Sequence, residues 1–209
     1  MKQINYILSG LFLLMIVSSC SGQDHGQVIS DTFRLQVEKE RAQKDTEFRV
    51  KESSPLSAAE VSGFKHLSYY PYDLKYRVKA RFELTNKTEV FKMKTTTDRL
   101  PEYRHYANVY FTIDGKEFKL EVFQNVELIS RPGYENYLFL PYSDETSGRE
   151  TYGGGRFIDL TNTHGEKIVI DFNKSYNPYC AYNHEYSCPL PPQQNDLSIK
   201  IEAGEKTYH

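Results

Sequence analysis

The chain has 209 residues, with 26 Lys and Arg against 28 Asp and Glu, a formal charge of −2. That near balance, without any basic run, gives no reason to expect a nucleic-acid partner. A chain of this length fits one domain that buries roughly 70% of its unfolded surface, so the core needs no metal, cofactor or disulfide framework.

Lys2 is the only charge before Asp24, and Tyr6 to Val17 is apolar apart from Ser9 and Gly10. This run has the length of a secretory hydrophobic region and is short for a bilayer span. Val17-Ser18-Ser19 then places small residues before Cys20. The order predicts a signal peptide over 1–19 and a lipid-accepting Cys20. Acyl chains contribute roughly 0.8 kcal/mol per buried methylene, so two or three of them anchor a protein to a membrane. The expected location is therefore the cell envelope, facing periplasm or exterior. Residues 20–29 are polar and read as a tether, with a single domain over 30–209.

Residues 31–49 carry charges and helix formers, with Phe33 and Val37 four apart, which predicts an amphipathic helix. Ser57-Ala58-Ala59-Glu60 has capping-box spacing ahead of a short helical turn ending at Gly63. Beyond residue 67 the period changes to two. Tyr76, Val78, Ala80, Phe82 and Leu84 alternate with Arg77, Lys79, Arg81 and Glu83, the pattern of a half-buried strand. Phe91 to Thr95 and Ala107 to Ile113 suggest further strands, and Asp114-Gly115 is a hairpin turn leading to Phe118, Leu120 and Val122. More strands are expected at 126–130, 137–141, 156–160, 167–172 and 197–202. With 17 Tyr, 12 Phe and no Trp, the fold class is mainly β: an antiparallel barrel or sandwich with an N-terminal amphipathic helix.

The last third is chemically unusual. Gly153, Gly154 and Gly155 stand between Tyr152 and Arg156; they suit a bulged or sharply bent strand entry more readily than a ligand-cradling loop beside Arg156. Asp171 and Asn173 lie two apart at a strand end, followed by a turn at Tyr176-Asn177-Pro178. Cys180 and Cys188 flank a loop containing His184, and in an oxidising envelope they are expected to pair. A zinc site at Cys180, His184 and Cys188 lacks a fourth ligand and the usual spacing, so no metal is expected. A nucleophilic thiol with His184 as base lacks an orienting partner. Asp144, Glu145, Glu202 and Glu205 read as residues of turns and solvated strand ends.

Ser54-Pro55-Leu56, Tyr69-Tyr70-Pro71, SDETSGRETYGGGRF at 143–157, DFNKSYNPYCAY at 171–182, CPLPP at 188–192 and AGEK at 203–206 together resemble the domain-of-unknown-function 1684 family. Tyr179 stands where that pattern usually has a second proline. The resemblance implies that Thr146, Gly148, Thr151, Tyr152, Gly153, Gly155, Arg156, Asp171, Asn173, Tyr176, Asn177, Cys180 and Cys188 belong together; it implies no reaction. The sequence thus favours a binding module for a small polar ligand or glycan at Tyr152, Gly154, Arg156, Asp171, Asn173, Tyr176 and Asn177. The alternatives are a structural or interaction protein whose motif is a folding device, with Arg156 paired to Asp171, and a hydrolase using Asp171 or a cysteine.

Overall fold

The computed structural model describes residues 22–86 and 89–208. The expected signal peptide and the lipid-accepting Cys20 lie outside the described residues. Helix α1 spans Gly22–Arg49, so the stretch read as a tether is helical from Gly22 onward. Helix α2 spans Ala58–Gly63; Ser57 accepts from the Glu60 amide while the Glu60 carboxylate caps the Ser57 amide, the reciprocal arrangement that the spacing predicts.

Eight strands follow: β1 (Arg77–Leu84), β2 (Val90–Lys92), β3 (Glu102–Ile113), β4 (Lys116–Asn125), β5 (Tyr137–Asp144), β6 (Arg156–Thr161), β7 (Lys167–Asp171) and β8 (Asp196–Leu197). They form one curled sheet in the order β6-β5-β4-β3-β1-β7, with β2 on β3 and β8 on β5. All pairings are antiparallel except β5–β8. The architecture is thus a half-barrel rather than a sandwich. Asp114 and Gly115 both take positive φ, the type I′ geometry that an Asp-Gly hairpin demands.

Two expected strands are absent as such. At 126–130 the Asn125 side chain accepts from the Leu128 amide at 2.8 Å and turns the chain into a 3-10 segment, Leu128–Ser130. At 197–202 only Asp196–Leu197 is a strand. The rest has strand-like alternation, with Ile201 and Ala203 fully buried, but no ladder partner.

The sheet buries both of its faces. Leu138, Leu140 and Tyr142 on β5 join the main core with Val109, Leu120, Ile158 and Ile170. Phe139, between them, points the other way and packs with Met93, Tyr103, Phe123 and Phe157 in a second, aromatic cluster. A bulge on β3 between His105 and Ala107 makes this possible. It switches which residues face inward, so Tyr103 joins the outer cluster while Ala107 and Val109 enter the core.

Candidate functional site

At most of its positions the C-terminal motif spends its polar side chains on bonds within the protein. Arg156, only 1% exposed, donates from Nη2 to Asp144 Oδ2 at 2.6 Å and to the Ile201 carbonyl at 2.9 Å. Its Nη1 donates to the carbonyls of Ala203 and Glu205. One guanidinium therefore supplies donors to Ile201, Ala203 and Glu205, while Gly204 and Glu205 are also held by backbone bonds to Tyr70 and Ser175. The partner of Arg156 is Asp144, not Asp171. Asp144 is itself buried, contrary to its reading as a turn residue, and also accepts from the Thr146 amide at 2.6 Å. Thr146 in turn bonds Thr151 at 2.8 Å.

The glycines serve the same bend. Gly155 has φ +82°, and a Cβ there would sit 2.6 Å from the Tyr142 carbonyl and 2.5 Å from Pro191 Cγ. A Cβ on Gly154 would meet the Tyr152 ring at 2.4 Å. The triplet thus lets chain and ring approach closely and leaves no space above Gly154 for a ligand. Beyond it, Phe157 and Tyr176 exchange backbone hydrogen bonds at 2.9 and 3.0 Å, so the two halves of the motif do adjoin.

Asp171 lies beside Arg77 at 3.6 Å and accepts from the Asn173 amide and side chain at 3.1 and 2.9 Å. Asn173 clamps Asp73, accepting from its amide at 2.9 Å and donating to its carbonyl at 2.8 Å. Asn177 donates to Glu205 at 3.1 Å and to the Lys206 carbonyl at 2.8 Å. Sequence reasoning read Glu205 as a solvated strand end. It is fully buried, not solvated, and it also receives Tyr182 and, at 2.7 Å, Lys44 of α1. Its place in the AGEK motif was the available signal.

Cys180 and Cys188 are both recorded as buried thiols, with the Cys180 amide 3.2 Å from the Cys188 sulfur. The Cys180 thiol is lowered to about 6, chiefly by its hydrogen bond with Cys188, with Tyr152 adding to the effect, while Cys188 is pushed up. Tyr152 reaches only Cys180, at 3.6 Å. His184 is exposed, and no group of three or more His, Cys, Asp or Glu is placed to hold a metal among the described residues.

Open space lies between α1 and the outer aromatic face. A groove of about 790 Å³ is bounded by Lys44, Glu47 and Phe48 of α1, by Phe139, Phe157 and Asp159 of the sheet, and by Tyr176, Tyr179 and Tyr186 of the loops. Of the seven residues expected to hold a ligand, Asn173 and Tyr176 line it, and so does Cys188 of the expected cysteine pair. Tyr137 and Tyr176 both donate to Asp159 Oδ1 at 2.7 Å. Burial and then the Asp159 charge raise both phenols, so they stay protonated donors. The carboxylate is exposed, and its Oδ2 has no protein donor among the described residues. Tyr179 and Tyr186 stack edge to face at 5.2 Å and are 47% and 37% exposed. Volume, ring faces and a few convergent polar atoms match the usual anatomy of a small-molecule site. The sequence hint was Asp159, a carboxylate between apolar neighbours on a strand, facing the same way as Phe157.

A family model described as "Protein of unknown function (DUF1684)" matches residues 62–206. An uncharacterized protein from gene locus rrnAC0354 of Haloarcula marismortui, solved in solution by NMR, is 34% identical. The match covers 86% of this chain and 98% of that one, with a TM-score of 0.66. No curated protein matches.

Proposed function

This chain belongs to the DUF1684 family, whose description names no activity, and we propose that its function is to bind a small polar ligand or glycan in the groove between α1 and the outer aromatic face. One observation carries the reading. The groove is the place where ring faces and an incompletely satisfied carboxylate converge beside about 790 Å³ of space. Tyrosine faces suit the apolar sides of sugar rings, while Asp159 Oδ2 accepts from hydroxyls. By contrast Asp171, the carboxylate a hydrolase reading would use, is occupied by Asn173 and Arg77.

The N-terminal sequence extends the proposal. Removal of residues 1–19 and acylation of Cys20 would place this groove in the cell envelope, on a membrane-anchored lipoprotein. In that compartment Cys180 and Cys188 would be oxidised to a disulfide. Mass spectrometry of the membrane-extracted protein tests both modifications.

The ligand reading is tested by calorimetric titration with a panel of neutral and charged oligosaccharides. Binding that weakens about five- to tenfold in Tyr186→Ala, with melting unchanged, supports the groove. Binding indifferent to Tyr186→Ala and abolished by Gly154→Ala would return the site to the glycine motif.

A further inference from the structure

The charge balance of the groove narrows the ligand class. Four cations line it, and each is engaged by the protein. Lys44 bonds Glu205 at 2.7 Å, Lys174 bonds Glu40 at 2.7 Å, and Arg131 pairs with Glu127. Arg41 donates to the carbonyls of Tyr70 and Asn173 and lies over the Tyr69 ring. Two lining carboxylates have no cationic partner among the described residues. Asp159 receives only the two tyrosine hydroxyls, on Oδ1. Glu47 receives only Gln43, at 3.1 Å on Oε1. Each stands beside tyrosine. Asp159 holds Tyr137 and Tyr176, and the charge of Glu47 acts on Tyr179, which stacks on Tyr186.

Asp159, met by the hydroxyl ends of two tyrosines, attracts an organic cation through its charge, and the exposed rings of Tyr179 and Tyr186 line the same groove. It repels an anionic ligand for the same reasons. The protein's own ammonium groups do not fill this role: Lys44 approaches one side of Tyr176, 5.1 Å from the ring centre, but its nitrogen is committed to Glu205.

Resting on the groove reading above, we propose that the ligand carries a free ammonium on a hydroxyl-bearing ring, an amino sugar, with the ammonium at Asp159 Oδ2 and the ring against the tyrosine faces. Glu47 provides a second acceptor for an adjoining residue of an oligomer. Primary ammonium groups also occur on linear polyamines, which lack the ring.

Three probes separate these cases on the full chain: a glucosamine oligomer, the matching N-acetylglucosamine oligomer, and spermidine. The expected order by calorimetry is the glucosamine oligomer first, at least about tenfold tighter than either other probe. Added salt should narrow its lead over the acetylated oligomer. Asp159→Asn, which can still accept from both tyrosines, should remove that lead and leave the acetylated oligomer unchanged. Glu47→Gln should reduce it in part, and unaltered melting would show that each variant is folded. Equal or tighter binding of the acetylated oligomer would overturn this inference while leaving the groove reading standing. Spermidine binding as tightly as the glucosamine oligomer would overturn the sugar assignment. Binding of none of the three would overturn the inference and count against the groove reading as well.

Discussion

Two polar regions of this protein sit close together and behave in opposite ways. Around Arg156 and Glu205, charged groups are buried and almost fully satisfied by the chain itself: Asp144, three carbonyls, Lys44, Tyr182 and Asn177. Around Asp159, a charged group is exposed, half satisfied, and met by two tyrosine hydroxyls beside open space. The first region has its unusual residues packed into recognisable motifs; the second is assembled from scattered positions on α1, β5, β6 and two loops. An unusual motif therefore marks where the fold needs unusual chemistry, which is not the same as where a ligand goes.

The comparison breaks first, if it breaks, at Arg156. Arg156→Ala should cost about 3–5 kcal/mol, because Asp144 is left buried without its counter-charge and the Ile201, Ala203 and Glu205 carbonyls lose this donor. Chemical denaturation measures this, and ligand affinity in the surviving folded fraction should not change. A loss of affinity without a loss of stability would move the site back to the motif.

Glu205→Ala should come next, at about 2–3 kcal/mol, since Asn177 and Tyr182 lose their acceptor while Lys44 can turn toward water. Hydrogen exchange would show α1 loosening from the barrel ahead of the sheet, because the Lys44–Glu205 pair joins the two.

A smaller effect concerns pH. In the dithiol form Cys180 titrates near 6 when folded, below its ordinary value of 9.0. The folded state therefore binds fewer protons than the unfolded one between these values. This contribution to stability grows as pH rises from 6 to 8 and is lost as pH falls through 6; nearer 9 the raised Cys188 thiol opposes it. Urea melts of reduced protein at pH 6 and pH 8 should differ in that direction, and Cys180→Ser should lack the increment. In the disulfide form the increment should be missing as well.

The smallest stability change belongs to the groove. Asp159→Asn and Tyr186→Ala should each alter stability by no more than about 0.5 kcal/mol, because neither completes a buried network. A large loss in either would mean that the groove, too, is a folding device.

These contrasts also explain what the sequence revealed. The alternation at 77–84, the Asp-Gly hairpin and the Ser57 capping box are local signals, and local geometry follows them. The strand expected at 197–202 has the right alternation, but a strand also needs a partner, and at Ile201 and Ala203 an arginine from β6 donates instead. Phe157 and Tyr176 pair, so the two halves of the motif adjoin. Their role was not legible, because Arg156 finds Asp144 twelve residues before it and Glu205 finds Lys44 from the N-terminal helix. The groove was least legible of all. Tyr137, Asp159, Tyr179 and Tyr186 meet only through the register of β5 on β6 and the return of the Cys180–Cys188 loop.

The account's central claim is that ligand and motif occupy different places. Titration of the glucosamine oligomer into the isotopically labelled protein, followed through its backbone amide spectrum, tests this directly. The account predicts shifts at Lys44, Glu47, Tyr137, Asp159, Tyr176, Tyr179 and Tyr186, with Asp144, Tyr152, Gly154 and Arg156 unmoved. Shifts confined to Asp144–Arg156 and Ile201–Glu205, with the groove silent, would contradict it.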